Sequence, residues 1–409
     1  MKKSLFYGLY LLSFVLLFFG VVEFYLTYII HHPEKCPETW FQKLAVYCTE
    51  FERSVIQYEP AMAQYDTGLF YTLKPGEFIF KNTEFTTPFK VNSIGCRDDE
   101  ASLDCPKIIM VGDSYGMGWG VNQDETYADL VEKKLTKTVL NMGISSYGTP
   151  REMKFLERVN TDSLKYLIIQ HCPNDYGEIV QYLWHDYQLE ISSHHVYDSI
   201  AQLARKDKTY YPFKRTQQFF PMLLGGESQL ILPPKKYPKV PDFNIYKGFL
   251  DVIRKTPAIS KQTKIIVFTL GVKGFKNDFM EKVAHTLDKE FGSSLYDQIT
   301  FLDFSTVLKP ENYFVLDAHI NASGHQIIAD TLMKYIHQKP KGKHQKKWYY
   351  ENGNISIEAS YVNHYKEGVT TYYWPNGNKS MQTTYSKGEK KGEEIRFNKK
   401  GEELKRINY

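Results

Sequence analysis

The sequence predicts an α/β fold, a parallel sheet with helices on both faces, flanked by an apolar N-terminal helix and a small C-terminal β-repeat domain. Three observations carry this. Between residues 106 and 338 short apolar runs alternate with amphipathic stretches, and such alternation calls for crossover connections between parallel strands. No charge occurs from Leu5 to Val22. Beyond Pro340 glycines and tyrosines recur every 24 residues, the mark of stacked repeats.

The N-terminal stretch, residues 1–30, opens with Lys2 and Lys3 and then runs apolar to Ile30. Its 18 uncharged residues are long enough to cross a bilayer as a helix. The two lysines favour a cytoplasmic N-terminus, which puts the rest of the chain outside the cytoplasm. An uncleaved anchor is favoured over a cleaved signal peptide, because no small-x-small site precedes Pro33. Glu23 is expected at the outer interface. Residues 31–105 read as an irregular, aromatic, extracytoplasmic lead-in. In an oxidising compartment Cys36 with Cys48, or Cys96 with Cys105, has the proximity for a disulfide; Cys172 lies in an apolar strand and reads as a buried thiol. No cysteine or histidine spacing resembles a metal site, and no cofactor is expected.

In the α/β region, strands are expected at 107–112, 137–143, 164–170, 264–271 and 298–304, and helices at 125–135, 150–159, 275–291 and 323–338. Residues 176–250 break the rhythm and read as an insertion, a lid or substrate wall. Residues 339–347 form a basic linker, and 348–409 the repeats: Gly353, Gly377 and Gly401, Gly368 and Gly392, and Tyr361, Tyr385 and Tyr409 all keep the 24-residue spacing. Asn-Gly pairs between aromatic strands suggest hairpins. From Lys341 onward 14 Lys/Arg face 8 Asp/Glu, a surplus of six, so a chain of net charge +4 is near −2 elsewhere. Nothing in that balance suggests nucleic acid; the basic tail suits stacking or a surface polymer.

The candidate chemistry lies at strand ends, the edge where open α/β sheets bind ligands. Ser114 ends the first strand in "MVGDSYGMGWGV". Gly143 follows the second and Asn174 the third. Asp317 and His319 precede the last helix, with Ser323 as its expected N-cap. A hydroxyl nucleophile needs a base, a group to orient the base, and donors for the oxyanion. Ser114, His319 and Asp317 supply the first three. The backbone N–H groups of Ser114 and Gly143 and the side-chain amide of Asn174 supply the donors. The pattern is not the G-x-S-x-G elbow. His325 is expected to face outward, Asp175 to stabilise the turn after the third strand, and His194 and His195 to be solvated.

Gly112-Asp113-Ser114, Gly143, Asn174 and Asp317/His319 resemble the four blocks of the SGNH (GDSL-type) hydrolases. "VNSIGCRDDE" (91–100) looks like the N-x-x-G-x-R lead-in of an exported, membrane-anchored branch similar to polysaccharide O-acetyltransferases and esterases. The resemblance covers residues 88–337. It implies a flavodoxin-like three-layer sandwich, no metal, and ester hydrolysis or acyl transfer through a seryl acyl-enzyme, with an acylated carbohydrate as substrate. Two departures stand out: Cys172 replaces the usual glycine of the third block, and the last block is D-x-H in place of D-x-x-H. The tail resembles the MORN-variant repeats of bacterial proteins. The expected function is therefore a single-pass membrane protein with an extracytoplasmic esterase or acyl transferase domain, in the periplasm or at the cell surface. The alternative is a catalytically silent scaffold that binds a surface polymer or protein partner through its repeats.

Overall fold

The computed structural model describes residues 2–32, 35, 40–173, 175–224, 244–260, 262–270, 279–290, 298–304, 307–336, 344–350, 352–362, 365–386 and 388–409. Cys36 and Asn174 lie outside the described residues. Five parallel strands form the central sheet: β5 (Ile108–Val111), β6 (Val139–Asn141), β7 (Tyr166–His171), β8 (Lys264–Thr269) and β9 (Ile299–Asp303), in the order β6-β5-β7-β8-β9. This order places the switch point at β5, whose carboxyl end carries Ser114.

The strands are buried on both faces, and their side chains alternate between two cores. Ile108 and Met110 join the cluster under α4 (Tyr127–Leu135) and α11 (Ala322–Ile336). Ile109 and Val111 join the opposite cluster, with α5 (Thr149–Leu156), α6 (Asp175–Trp184), α9 (Ile245–Lys255) and α10 (Phe279–Glu290). The result is three layers, helices–sheet–helices, from the two-residue side-chain period of a strand covered on both sides.

Three expectations need correction. The lead-in is regular: α2 (Trp40–Glu52) is followed by two antiparallel hairpins, β1 (Ala63–Asp66) with β2 (Phe70–Leu73) and β3 (Gly76–Lys81) with β4 (Thr86–Val91). Its apolar residues, among them Tyr71, Phe80 and Phe89, enter the same cluster as the sheet. The expected insertion at 176–250 begins with α6 and ends in α9, both packed on the sheet. The excursion proper is α7 (His194–Asp207) and α8 (Lys214–Leu223). Cys96 is buried and Cys105 exposed, and they are separate free thiols; Cys48 is also free, its thiol donating to Gln218 Oε1.

At the N-terminus α1 (Lys2–His31) is long and apolar enough to cross a membrane over Phe6–His31, with mean hydropathy 2.2. Glu23 does not face solvent. It is buried and accepts hydrogen bonds from the N–H groups of Arg215 and Thr216 and from the hydroxyls of Thr216 and Tyr210.

The tail is one antiparallel sheet, in the order β10 (His344–Tyr349), β11 (Ile355–Val362), β13 (Gly368–Tyr373), β14 (Lys379–Ser386), β15 (Glu389–Phe397), β16 (Glu403–Asn408), with the short β12 (Tyr365–Lys366) beside β11. The periodic glycines close its turns. In Trp374-Pro375-Asn376-Gly377 the Gly377 N–H bonds to Trp374 O and Gly377 has φ 86°, a left-handed conformation that favours glycine. Successive turns are tied together, since the side-chain amides of Asn352 and Asn354 donate to Pro375 O, and those of Asn376 and Asn378 to Lys399 O.

Gly95, in the lead-in motif, has φ 95°, and an added Cβ would lie 2.1 Å from Thr72 Oγ1. Gly95→Ala is expected to cost about 1–3 kcal/mol of stability, read as a lower denaturant midpoint. An unchanged midpoint would show that this turn relaxes freely.

Candidate active site

Ser114 opens a four-residue helix, α3 (Ser114–Met117), directly after β5. Asp113 precedes it and accepts a hydrogen bond from the Tyr115 N–H at 3.0 Å, capping the helix. Gly118 ends the helix with φ 83°, and Gly120 follows with φ 78°. A buried guanidinium holds this tight glycine turn. Arg97 donates to the carbonyls of Met117, Gly118, Val121 and Pro88 and lies over the Phe89 ring at 3.7 Å. Burial lowers its pKa to about 9, so it remains a cation at neutral pH. The conformation of the lead-in motif serves this clamp: Asn92 Oδ1 accepts the Cys96 N–H at 3.0 Å, and Gly95 turns the chain so that Arg97 points inward.

His319 comes from the loop between β9 and α11. Its Nε2 lies 2.7 Å from Ser114 Oγ, and its Nδ1 meets Asp317 Oδ1. With Nδ1 against a carboxylate, the ring proton belongs on Nδ1 and Nε2 accepts the Ser114 hydroxyl proton. The D-x-H spacing is sufficient because Asp317 Oδ1 also accepts the His319 backbone N–H at 3.0 Å, which folds the short loop back on itself. Burial raises the Asp317 pKa, but the neighbouring His319 and Arg53 and the hydrogen bonds from His319 outweigh it and hold the carboxyl at about 2.

Sequence reasoning missed the residues that hold this pair. Trp119 donates its indole N–H to Asp317 Oδ2 at 3.0 Å and stacks on the His319 ring at 4.7 Å. Arg53 lies 3.9 Å from Asp317 Oδ2 and over the Trp119 ring. Glu84 accepts the backbone N–H groups of Val315, Leu316 and Asp317 at 2.7, 2.9 and 2.8 Å, fixing the strand of chain that delivers Asp317. Tyr115 donates its hydroxyl to Ala318 O. Trp119 was visible inside the glycine-rich motif; Arg53 and Glu84 carry no local signal.

Gly143 lies against α3, where a Cβ would be 2.3 Å from Met117 N, so only glycine fits. Its N–H donates to Asn141 Oδ1 at 3.0 Å. Asn174 lies outside the described residues, but both its neighbours are placed. Asp175 is buried, accepts from Thr149 Oγ1 at 2.9 Å, lies 3.0 Å from His171 Nδ1, and bonds through its N–H to Cys172 O. Cys172 is buried and its thiol hydrogen-bonds the Asp113 carboxyl. Two further expectations are corrected. His325 faces inward, stacked on Tyr127 and accepting the Tyr127 N–H at 3.1 Å; burial lowers its pKa to about 3 and keeps it neutral. The cap of α11 is Asn321, whose Oδ1 accepts from the N–H groups of Ser323 and Gly324; Ser323 is already the second residue of the helix. His194 and His195 are exposed, and His194 stacks on Tyr65.

No family model and no curated protein matches the chain. Solved structures similar to it include a protein of G-D-S-L family from Desulfitobacterium hafniense DCB-2, at 14% identity over 56% of this chain and 97% of that one, TM-score 0.30. Another is the C-terminal catalytic domain of peptidoglycan O-acetyltransferase A from Streptococcus pneumoniae, at 15% identity over 56% and 91%, TM-score 0.30. A third is a carbohydrate esterase family 2 enzyme from Corynascus thermopiles (Myceliophthora fergusii), at 12% identity over 57% and 67%, TM-score 0.33. Scores this low leave the chemistry of this chain to its own residues.

The depressed Asp317 pKa predicts a pH-dependent stability. A carboxylate held at about 2 in the folded chain, against roughly 3.9 when unfolded, stabilises the fold above the unfolded value and loses that contribution as pH falls through the folded one. Asp317→Asn is therefore expected to cost roughly 2 kcal/mol at neutral pH and little once the carboxyl is protonated in both states. Denaturant unfolding of both proteins across the acid range measures the difference. A constant difference would show that Asp317 contributes packing and not charge.

Proposed function

We propose that this chain is a membrane-anchored, extracytoplasmic serine esterase or acyl transferase of SGNH type, acting on an O-acyl ester, an acetyl group on a carbohydrate being the favoured substrate. The observation that carries the reading is the continuous hydrogen-bonded line Ser114–His319–Asp317 at the carboxyl end of the switch-point strand. Its order of groups is what acyl transfer to a hydroxyl requires.

In the proposed reaction Ser114 Oγ attacks the ester carbonyl as its proton passes to His319 Nε2. Asp317 stabilises the resulting imidazolium. The oxyanion is held by the Ser114 N–H, the Asn174 amide and the Gly143 N–H, the last turning from Asn141 Oδ1 to the substrate. The carbon–oxygen bond to the alcohol breaks, His319 returns the proton to the leaving oxygen, and an acyl-serine remains. Water or a sugar hydroxyl then attacks it with His319 again as base. The two outcomes differ only in which acceptor enters. The carbohydrate assignment comes from the family resemblance and is supported by the exposed rings of residues 188–211, among them His194, His195, Tyr210 and Tyr211, which suit stacking on sugar rings.

The same reading assigns residues 1–30 to the anchor, 31–105 to the lead-in, 106–338 to the catalytic domain, 339–347 to a linker and 348–409 to MORN-variant repeats that bind a surface polymer. The ladder of asparagine-bridged turns supports a rigid repeat surface, and the surplus of six basic charges supports a polyanionic ligand.

Full-length protein in detergent should hydrolyse p-nitrophenyl acetate. Ser114→Ala and His319→Ala should each lower kcat by at least ~10³-fold, and Asn174→Ala by about 10²–10³-fold. A chain truncated before Lys341 should keep this turnover and lose retention on an acidic polysaccharide. Undiminished turnover in Ser114→Ala would remove the triad; a folded wild type inert to all esters would shift the reading to a polymer-binding scaffold.

A further inference from the structure

The excursion helix α8 changes character along its length. Lys214, Arg215 and Thr216 at its start are polar and buried, whereas Phe219-Phe220-Pro221-Met222-Leu223-Leu224 is an unbroken apolar run. The polar start is pinned to the outer end of α1. Glu23 caps α8 through the N–H groups of Arg215 and Thr216, and Glu52 of α2 pairs with Lys214 at 2.8 Å and with Arg215. Farther along, the Phe220 ring meets the Phe19 ring edge-on at 5.9 Å.

Those contacts fix a direction. Glu23 and Phe19 lie one turn apart on α1, about 6 Å along its axis. Moving from Arg215 to Phe220 on α8 therefore means moving from Glu23 toward the middle of the apolar run. The helix descends antiparallel to α1. Phe219 and Met222 face inward and join a buried cluster with residues of α1 and α2, Phe219 stacking on Phe41 at 5.4 Å. Pro221, Leu223 and Leu224 face outward, and Leu224 is 82% exposed. Phe18 and Val21 of α1 are exposed at the same height. The last turn of α8 closes with the Leu224 N–H bonded to Phe220 O, and the only charges on the helix, Lys214 and Arg215, lie at its opposite end.

We infer that residues 219–224 of α8 insert beside α1 among the acyl chains of the outer half of the bilayer, a second membrane contact in addition to the anchor. This rests on the anchor reading given above. It also sets the height of the catalytic loop. Leu316, next to Asp317, packs in the same cluster as Leu26 of α1 and Phe219 of α8, so the triad is held directly above the lipid surface and the acyl ester is engaged close to the membrane.

The test is photo-crosslinking of the full chain in protein-free vesicles of phosphatidylethanolamine and phosphatidylglycerol. p-Benzoylphenylalanine replaces one leucine at a time: Leu17 in α1, Leu224 at the tip of α8, or Leu404 in the tail, the first and last being similarly exposed at 65% and 66%. Lipid adducts are expected at positions 17 and 224 and none at 404. Adducts at 17 but not at 224 overturn the inference and leave the anchor standing. Absence at both overturns the anchor reading itself. A position-224 adduct found only with a protein, and only in native membranes, overturns the lipid assignment in favour of a membrane-protein partner.

Discussion

One hydrogen bond organises the candidate site: the Ser114 hydroxyl to His319 Nε2, between loops 205 residues apart in sequence. It has the right length only if both loops are held to within a few tenths of an ångström, and each is held by charge, a buried guanidinium on one side and a half-buried carboxylate on the other. On the serine side Arg97 collects four backbone carbonyls of the surrounding turns. On the histidine side Glu84 collects three backbone N–H groups. Buried ions hydrogen-bonded to backbone give stronger and more directional restraints than neutral pairs. Either partner removed would leave an uncompensated charge or a set of orphaned peptide groups.

Arg97, Glu84 and Arg53 all come from residues 40–105. The lead-in therefore acts as a frame for the site. Its two hairpins contribute aromatic side chains to the sheet core, and Trp119 packs edge-on against Phe80 at 4.7 Å while donating to Asp317. The same segment links the site to the apolar N-terminal helix and α8, because α2 pairs through Glu52 with α8 and ends beside Arg53. Geometry at the serine, at the acid and at the apolar platform is thus carried by one continuous set of contacts.

The central strands were legible in the sequence because a strand buried on both faces is largely apolar, as "IIMV" and "LII" are. The repeat turns were legible because glycine at a fixed period reports a fixed left-handed φ. Ser114, Asp317 and His319 were legible as strand-end and pre-helix residues. What was hidden depends on contacts between distant segments. Nothing local marks Glu84 as an acceptor for residues 315–317, or His325 as buried against Tyr127; α11 is amphipathic, and a histidine at the edge of its apolar face reads equally well as solvated. The helices α6 and α9 were absorbed into an expected insertion because their polar residues, such as Asp251 paired with Lys247 and Arg254, mask the buried side. Glu23 in an apolar run reads as solvated, and nothing local shows that α8 brings its first N–H groups to it.

At the centre of the proposal stands Ser114 as a nucleophile activated by His319. Peptide mapping by mass spectrometry after treating the native chain with a fluorophosphonate tests it most directly. The account predicts a single phosphonyl adduct on Ser114, formed rapidly in the wild type and lost in His319→Ala. An adduct on another serine, or labelling of Ser114 at the same rate without His319, would contradict it.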